Sequence, residues 1–328
     1  MTTREKKQLT LSCAVDNYRS GWTVVEFLAH RFKYNVVEGW ETRVREARVR
    51  VNGVAVDPGH VVHRDDSVEY TIDHDEPAVD ESYEVLLEDD HILAVAKSGN
   101  IPVHACGVYI THTLIARLKR DFGDSLNLGH RLDRETSGVV VLAKHKKANR
   151  VLAERFARGE VEKQYLAVVY GAVDADEFTV DAPIGKIDIR DQYPDEYAYG
   201  KANDMATYLP KRAVDMENGK PARTRFERIR SSGEFTELRV IPVQGRTNQI
   251  RVHLAHAGHP IVGDKIYALS GEVRDEMLRD GLTEQVRAAL VLERHALHCE
   301  SLAFDHPVTG ERLSLKAPVP GDMVGIVP

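Results

Sequence analysis

Two hydrophobic periods run along this chain, and its predicted elements begin and end where one gives way to the other. Val24, Phe27, Leu28 and Phe32 recur at three- and four-residue spacing, which predicts a helix with one buried face ending near Lys33. Thr23 and Glu26 bracket its start as a capping box. A second short helix is predicted from about residue 40 to 47. Period two then takes over, with Val49, Val51, Val54 and Val56 alternating around Asn52-Gly53, a strong hairpin signal. Asp65-Asp66 turns the chain into a strand over 67–72, and residues 1–18 read as a polar arm or short first strand.

Residues 76–82 are acidic, contain Pro77 and have little to bury, so they read as a linker between a small module (1–75) and a larger domain (83–328). That domain opens on strand, Asp-rich turn and strand over 84–97, followed by a helix over 113–121. The run Val139-Val140-Val141-Leu142-Ala143 reads as a buried strand. Ala148, Val151, Leu152 and Phe156 share a helical face, and 161–171 and 236–242 read as strands. Thr247 is the predicted cap of a helix with Ile250, Leu254 and Ala257 inward, closed by Gly258 and Pro260. Two stretches, 186–218 and 271–292, read as insertions, the second of them helical, and a last hairpin spans 301–316.

Of 328 residues, 42% are hydrophobic and 29% charged, the balance of an ordinary soluble globular protein. No apolar run approaches the roughly 20 residues that cross a bilayer, and the charged N-terminus has no apolar stretch behind it. Three scattered cysteines make neither a disulfide framework nor a zinc spacing, so a reducing cytoplasm is the expected location. The net charge of −7 is unevenly spread. Residues 73–91 carry nine acidic side chains and no Lys or Arg, whereas 130–165 carry nine Lys or Arg against five acidic residues. A local basic face of that kind can hold phosphates on an acidic protein.

The chemistry concentrates in His130-Arg131-Leu132-Asp133-Arg134-Glu135-Thr136-Ser137-Gly138, a polar turn-rich run feeding the buried strand. Arg131 and Arg134, if close in space, would favour an ionised Asp133, a candidate nucleophile. On spacing alone, an Arg–Asp pair that merely fixes a loop accounts for the run equally well. His253, His256 and His259 stand at helical spacing without a carboxylate among them and are expected to be solvated or capping, as are His295, His298 and His306.

The run resembles the signature of the RluA-type pseudouridine synthases, His-Arg-Leu-Asp-x-x-Thr-Ser-Gly, at every fixed position. Lys163 and Tyr165 match the family's Lys-x-Tyr. Gly245-Arg246-Thr247-Asn248-Gln249-Ile250-Arg251 matches its third motif with Asn248 in place of His, and Lys97-Ser98-Gly99 lacks the proline of its first. The resemblance, over about 83–320, implies an α+β fold with a mixed, mainly antiparallel sheet split by a central catalytic cleft. It implies isomerisation of uridine to pseudouridine in RNA, with no cofactor and no metal, by a monomer.

By the same resemblance Asp133 supplies the carboxylate needed near the sugar, Arg251 pairs with it, and Tyr165 packs against the base or transfers a proton. Arg131 would take the vacated place in the RNA stack. Lys144, Lys146, Lys147 and Arg150 are the best phosphate candidates, with a plain solvated face accounting for each alone nearly as well, and Arg134 and Arg246 are further candidates for RNA contact. The N-terminal module resembles an S-four-like RNA-binding module with Arg43, Arg45 and Arg48 facing phosphate. Ribosomal RNA is the preferred target and transfer RNA the alternative. A non-catalytic RNA-binding protein and a hydrolase using Asp133 as nucleophile remain rival readings.

Overall fold

A computed structural model describes residues 7–32, 35–188 and 209–328. The chain forms two compact units, Met1–Glu76 and Pro77–Pro328. In the first, strands β1 (Lys7–Ala14), β2 (Val49–Val51), β3 (Val54–Ala55) and β4 (Ser67–His74) make an antiparallel sheet in the order β1-β4-β2-β3. Helix α1 (Val24–Arg31) starts on a complete capping box. The Glu26 amide donates to Thr23 Oγ1 at 3.2 Å, and the Thr23 amide donates to Glu26 Oε2 at 2.8 Å. Helix α2 (Val37–Arg45) begins three residues before the predicted start, because its N-cap is Val36, which offers no side-chain acceptor to read. At the hairpin, Asn52 and Gly53 both take positive φ, 52° and 80°, as a type I′ turn requires.

In the second unit, β5 (Tyr83–Glu88), β6 (Ile92–Lys97), β7 (Asn127–Leu128), β8 (Ser137–Ala143), β9 (Glu162–Tyr170), β10 (Glu177–Asp181), β13 (Arg223–Ser231), β14 (Phe235–Pro242), β15 (Leu297–Asp305) and β16 (Arg312–Lys316) build one ten-stranded sheet. Its main order is β10-β13-β14-β9-β15-β8-β6-β5. Among the described residues all its pairs are antiparallel except β8 with β15. Residues 77–82 lie along this unit: the Asp80 amide donates to Asn100 O at 3.0 Å, and Ser98 Oγ donates to Asp80 O at 2.6 Å.

The sheet divides at β15. That strand pairs with β8 only at His298 and Cys299, and from Ser301 onward its edge is taken by β16. Two apolar cores result. One gathers β6, β8, α3 (Leu114–Phe122) and α4 (Lys146–Arg158); the other gathers β9, β14 and α5 (Gln249–His256). All seven residues of β8 are buried, as their unbroken apolar run requires of a central strand.

The stretches read as insertions prove to share a small core. Ile187 and Leu209 pack with Met277 and Leu278 of α6 (Gly271–Asp280) and Val286 and Leu290 of α7 (Glu284–Leu290). The first stretch leaves and rejoins the fold through a hairpin of β11 (Ile184–Lys186) and β12 (Arg212–Val214), and its part from 189 to 208 lies outside the described residues.

Candidate active site

The loop bearing Asp133 is fixed at both ends. At its start, His130 stacks on Phe156 of α4 at 4.6 Å between ring centres, and its Nε2 accepts the Val141 amide at 3.1 Å. Burial holds this imidazole neutral, with its pKa pulled down to about 3. At its far end Thr136 Oγ1 lies 2.7 Å from His295 Nε2, and Ser137 Oγ donates to His298 Nδ1 at 2.9 Å. His298 Nε2 in turn faces Ala317 O at 3.4 Å. Gly138 then passes against β15 with φ of +114°, a conformation open to glycine. Beneath the loop, the buried Lys97 ammonium donates to the carbonyls of Ser98 (2.7 Å), Ile101 (2.9 Å) and Arg134 (2.9 Å). Burial and the charge of Arg294 bring its pKa down to about 7.

Asp133 receives Arg251 Nη1 on its Oδ2 at 2.8 Å, across 118 residues of sequence. The same guanidinium is held along its other edge by Asp264: Nε donates to Oδ2 at 2.7 Å and Nη2 to Oδ1 at 2.8 Å. Asp264 is completely buried, and its Oδ1 also accepts the amides of Ile266 and Tyr267 at 2.9 and 3.1 Å. The Tyr267 ring lies under the guanidinium, 5.2 Å away. Two carboxylates raise the Arg251 pKa well above its ordinary value despite its burial. Asp133 itself remains about one-third exposed, facing the cleft.

Arg251 stands in the first turns of α5, which is not capped as expected. Its N-cap is Asn248 rather than Thr247, in the left-handed conformation at φ 58°, and the first-turn bond is made by Gln249, whose Oε1 accepts the Arg246 amide at 3.0 Å. Asn, Asp and His are the side-chain-bearing residues most at home in that conformation, so Asn248 keeps the backbone geometry that a His would also accept.

The cleft over Asp133 measures about 510 Å³, counting space continuous with solvent, and its walls include Arg131, Lys163, Tyr165, Gln244, Arg246 and Arg251. Tyr165 sits on the line where the two apolar cores meet and packs against both. On β9 it pairs with Val240 on one side and Cys299 on the other. Burial, followed by the neighbouring Cys299 and Asp133, pushes its phenol well above the usual range, so it stays protonated at neutral pH. Cys299 is likewise driven up to about 12 by burial.

Of the residues singled out from sequence, Asp133, Tyr165, Arg251, Arg131 and Arg246 meet at this cleft. Arg131 is exposed at its mouth with Nη1 3.2 Å from His104 Nε2, and Arg246 Nε donates to Pro221 O at 3.1 Å. Arg134 differs from expectation: its guanidinium donates to Tyr109 Oη at 2.6 Å and to buried Glu135 at 2.8 Å. The arginine that grips Asp133 is therefore remote in sequence, not adjacent. Lys144, Lys146, Lys147 and Arg150 follow the far end of β8, roughly 20 Å from its start at about 3.3 Å per residue.

Lys144 pairs with Glu88 at 2.7 Å, while Lys146, Lys147 and Arg150 are exposed. In the first unit Arg43 lies over the Trp40 ring at 5.2 Å, Arg45 pairs with Glu41 at 2.9 Å and Arg48 with Asp73 at 3.0 Å. The histidines at 253, 295 and 298 are neither solvated nor capping. They are buried and bonded within the core, His253 donating from Nε2 to Ala182 O at 3.0 Å while Nδ1 faces Thr224 Oγ1 at 2.9 Å. His306 does cap a turn, its Nδ1 accepting the Thr309 amide at 2.9 Å. Asp264 and Lys163 were given no role from the sequence, although Lys163 stands in the matched Lys-x-Tyr and Asp264 in Ile261-Val262-Gly263-Asp264-Lys265-Ile266-Tyr267, a run that also matches the family.

The cleft thus brings an arginine-gripped carboxylate, Asp133, and a protonated phenol, Tyr165, together where a mixed sheet divides. The chain belongs to the RNA pseudouridylate synthase family, whose model matches residues 91–256. It is 30% identical to ribosomal large subunit pseudouridine synthase C of Vibrio cholerae, over 93% of this chain and 92% of that one. It is 31% identical to RNA pseudouridine synthase 7 of Arabidopsis thaliana over 76% of this chain, and spans 61% of that protein's length. The fold is similar to that of human RNA pseudouridylate synthase domain containing 1, with a TM-score of 0.52, 25% identity, and coverage of 74% and 86% of the two chains.

Proposed function

We propose that this chain converts uridine to pseudouridine within RNA, that ribosomal RNA is its target class, and that Asp133 is the catalytic carboxylate. The observation that carries the reading is the 2.8 Å bond from Arg251 to Asp133 on the floor of a cleft shared with Tyr165. The relatives named for the large ribosomal subunit support the choice of RNA. Substrate and product are isomers, so the glycosidic bond can be cut, the uracil turned and carbon five joined to the ribose with no co-reactant.

Asp133 turns one oxygen to Arg251 and keeps the other for the nucleotide. Arg251 orients the carboxylate through that bond. Tyr165, a phenol that holds its proton, serves as a flat wall for the base rather than as a proton acceptor. The base must leave its stack first, at a cost of a few kcal/mol. Arg131, at the mouth of the cleft, offers a planar cation to the gap it leaves. The second unit is the catalytic domain, the first adds RNA contacts through Arg43, Arg45 and Arg48, and the enzyme works as a cytoplasmic monomer.

Asp133→Asn is expected to abolish conversion while RNA affinity stays within a few-fold, read by chemical labelling of pseudouridine in treated ribosomal RNA and by filter binding. An active variant would remove Asp133 from its role. A wild-type chain that binds RNA without converting it would leave only an RNA-binding protein, and release of free base would point to a hydrolase.

A further inference from the structure

We propose that Asp264 is a positioning residue for the isomerisation, an inference that rests on the reading above: by occupying one edge of the Arg251 guanidinium, it keeps Asp133 singly bonded, with its second oxygen open to the cleft. An arginine facing a lone carboxylate settles into a two-bond fork that engages both carboxylate oxygens. Here the fork is given to Asp264, through Nε and Nη2 at 2.7 and 2.8 Å. Only an end-on contact remains for Asp133, through Nη1 to Oδ2. The other oxygen of Asp133 is left for the substrate.

Charge leads to the same conclusion. One buried cation between two carboxylates leaves the group at −1, so Arg251 orients Asp133 without cancelling it. Asp264 is itself immobile, completely buried and held by the Ile266 and Tyr267 amides, with Tyr267 beneath the guanidinium. It reaches substrate only through Arg251, so its effect belongs on the chemical step rather than on RNA binding.

The test is steady-state conversion of target RNA by the full chain across pH 5 to 9. Asp264→Asn, which keeps shape and removes charge, is expected to lower kcat at least tenfold with KM changed less than threefold. It should also move the acid limb of the rate profile to lower pH, because a negative charge beside Asp133 has gone. Asp264→Glu restores the charge and is expected to return that limb toward its original position. A folded Asp264→Asn variant with unchanged kcat and an unchanged acid limb overturns the proposal.

If Asp264→Asn alone does not fold, the comparison is made in an Arg251→Met background, where no unpaired cation is left inside. There the added substitution is expected to change the residual rate less than twofold, and a further tenfold loss overturns the proposal. Absence of conversion by the unaltered chain is a separate result, since it removes the function rather than the role of Asp264.

Discussion

At Gly138 an added methyl group would stand 2.1 Å from the carbonyl oxygen of Cys299, on a backbone at φ +114° that side chains rarely adopt. Gly138→Ala is therefore expected to destabilise the protein by about 3 kcal/mol or more, seen as a lower urea midpoint with an unchanged slope. An unshifted midpoint would mean that β8 and β15 separate here more easily than their pairing suggests. The same residue marks what could be read in the sequence. Gly138, Asp133 and Arg251 stand in motifs that match a known family, and the match rather than local pattern singled out Asp133 and Arg251, since on spacing alone Asp133 read equally well as half of a loop-fixing pair. Asp264 escapes because its importance comes from the far edge of a guanidinium folded in from elsewhere. Arg134 misled for the opposite reason: adjacency to Asp133 along the chain turns its side chain the other way, to Tyr109 and Glu135.

The elements were legible where hydrophobic period and cap agree, as in α1 with its capping box or β8 with its unbroken apolar run. They were not where the cap is unconventional: Val36 starts α2 and a left-handed Asn248 starts α5. Distance along an element also defeated the pattern. Lys144, Lys146, Lys147 and Arg150 follow Asp133 closely in sequence, yet a seven-residue strand separates them from its loop.

The two ends of the Asp133 loop carry their own dependence on pH. His130, pulled down to about 3, and His298, pulled down to about 4, stay neutral in the fold, whereas free imidazoles titrate near 6.5. The unfolded chain then takes up more protons as the pH drops below 6.5, so their stabilisation is intact above that value and is lost progressively toward pH 3 to 4. Together they are expected to remove about 4 kcal/mol between pH 7 and pH 5. Urea unfolding at a series of pH values checks this, and a flat midpoint over that interval would contradict it.

For the whole molecule, the broad plan was readable and the insertions were not. The split sheet followed from the family resemblance, and a smaller unit preceding it in the sequence from the acidic stretch near Pro77. That 186–218 and 271–292 share a core could not be seen, because Ile187, Leu209, Met277 and Val286 come together only in three dimensions.

A loop pinned by His130 on Phe156 and by Thr136 and Ser137 on two core histidines has almost no give. The burden of adjustment therefore passes to the nucleic acid, and discrimination among uridines becomes a matter of how cheaply each can be unstacked. Uridines in bulges, or opposite a mismatch, should react faster than the same sequence in a perfect duplex, by about tenfold for each 1.4 kcal/mol of pairing removed. A rate indifferent to pairing would show that the bending is done by the protein.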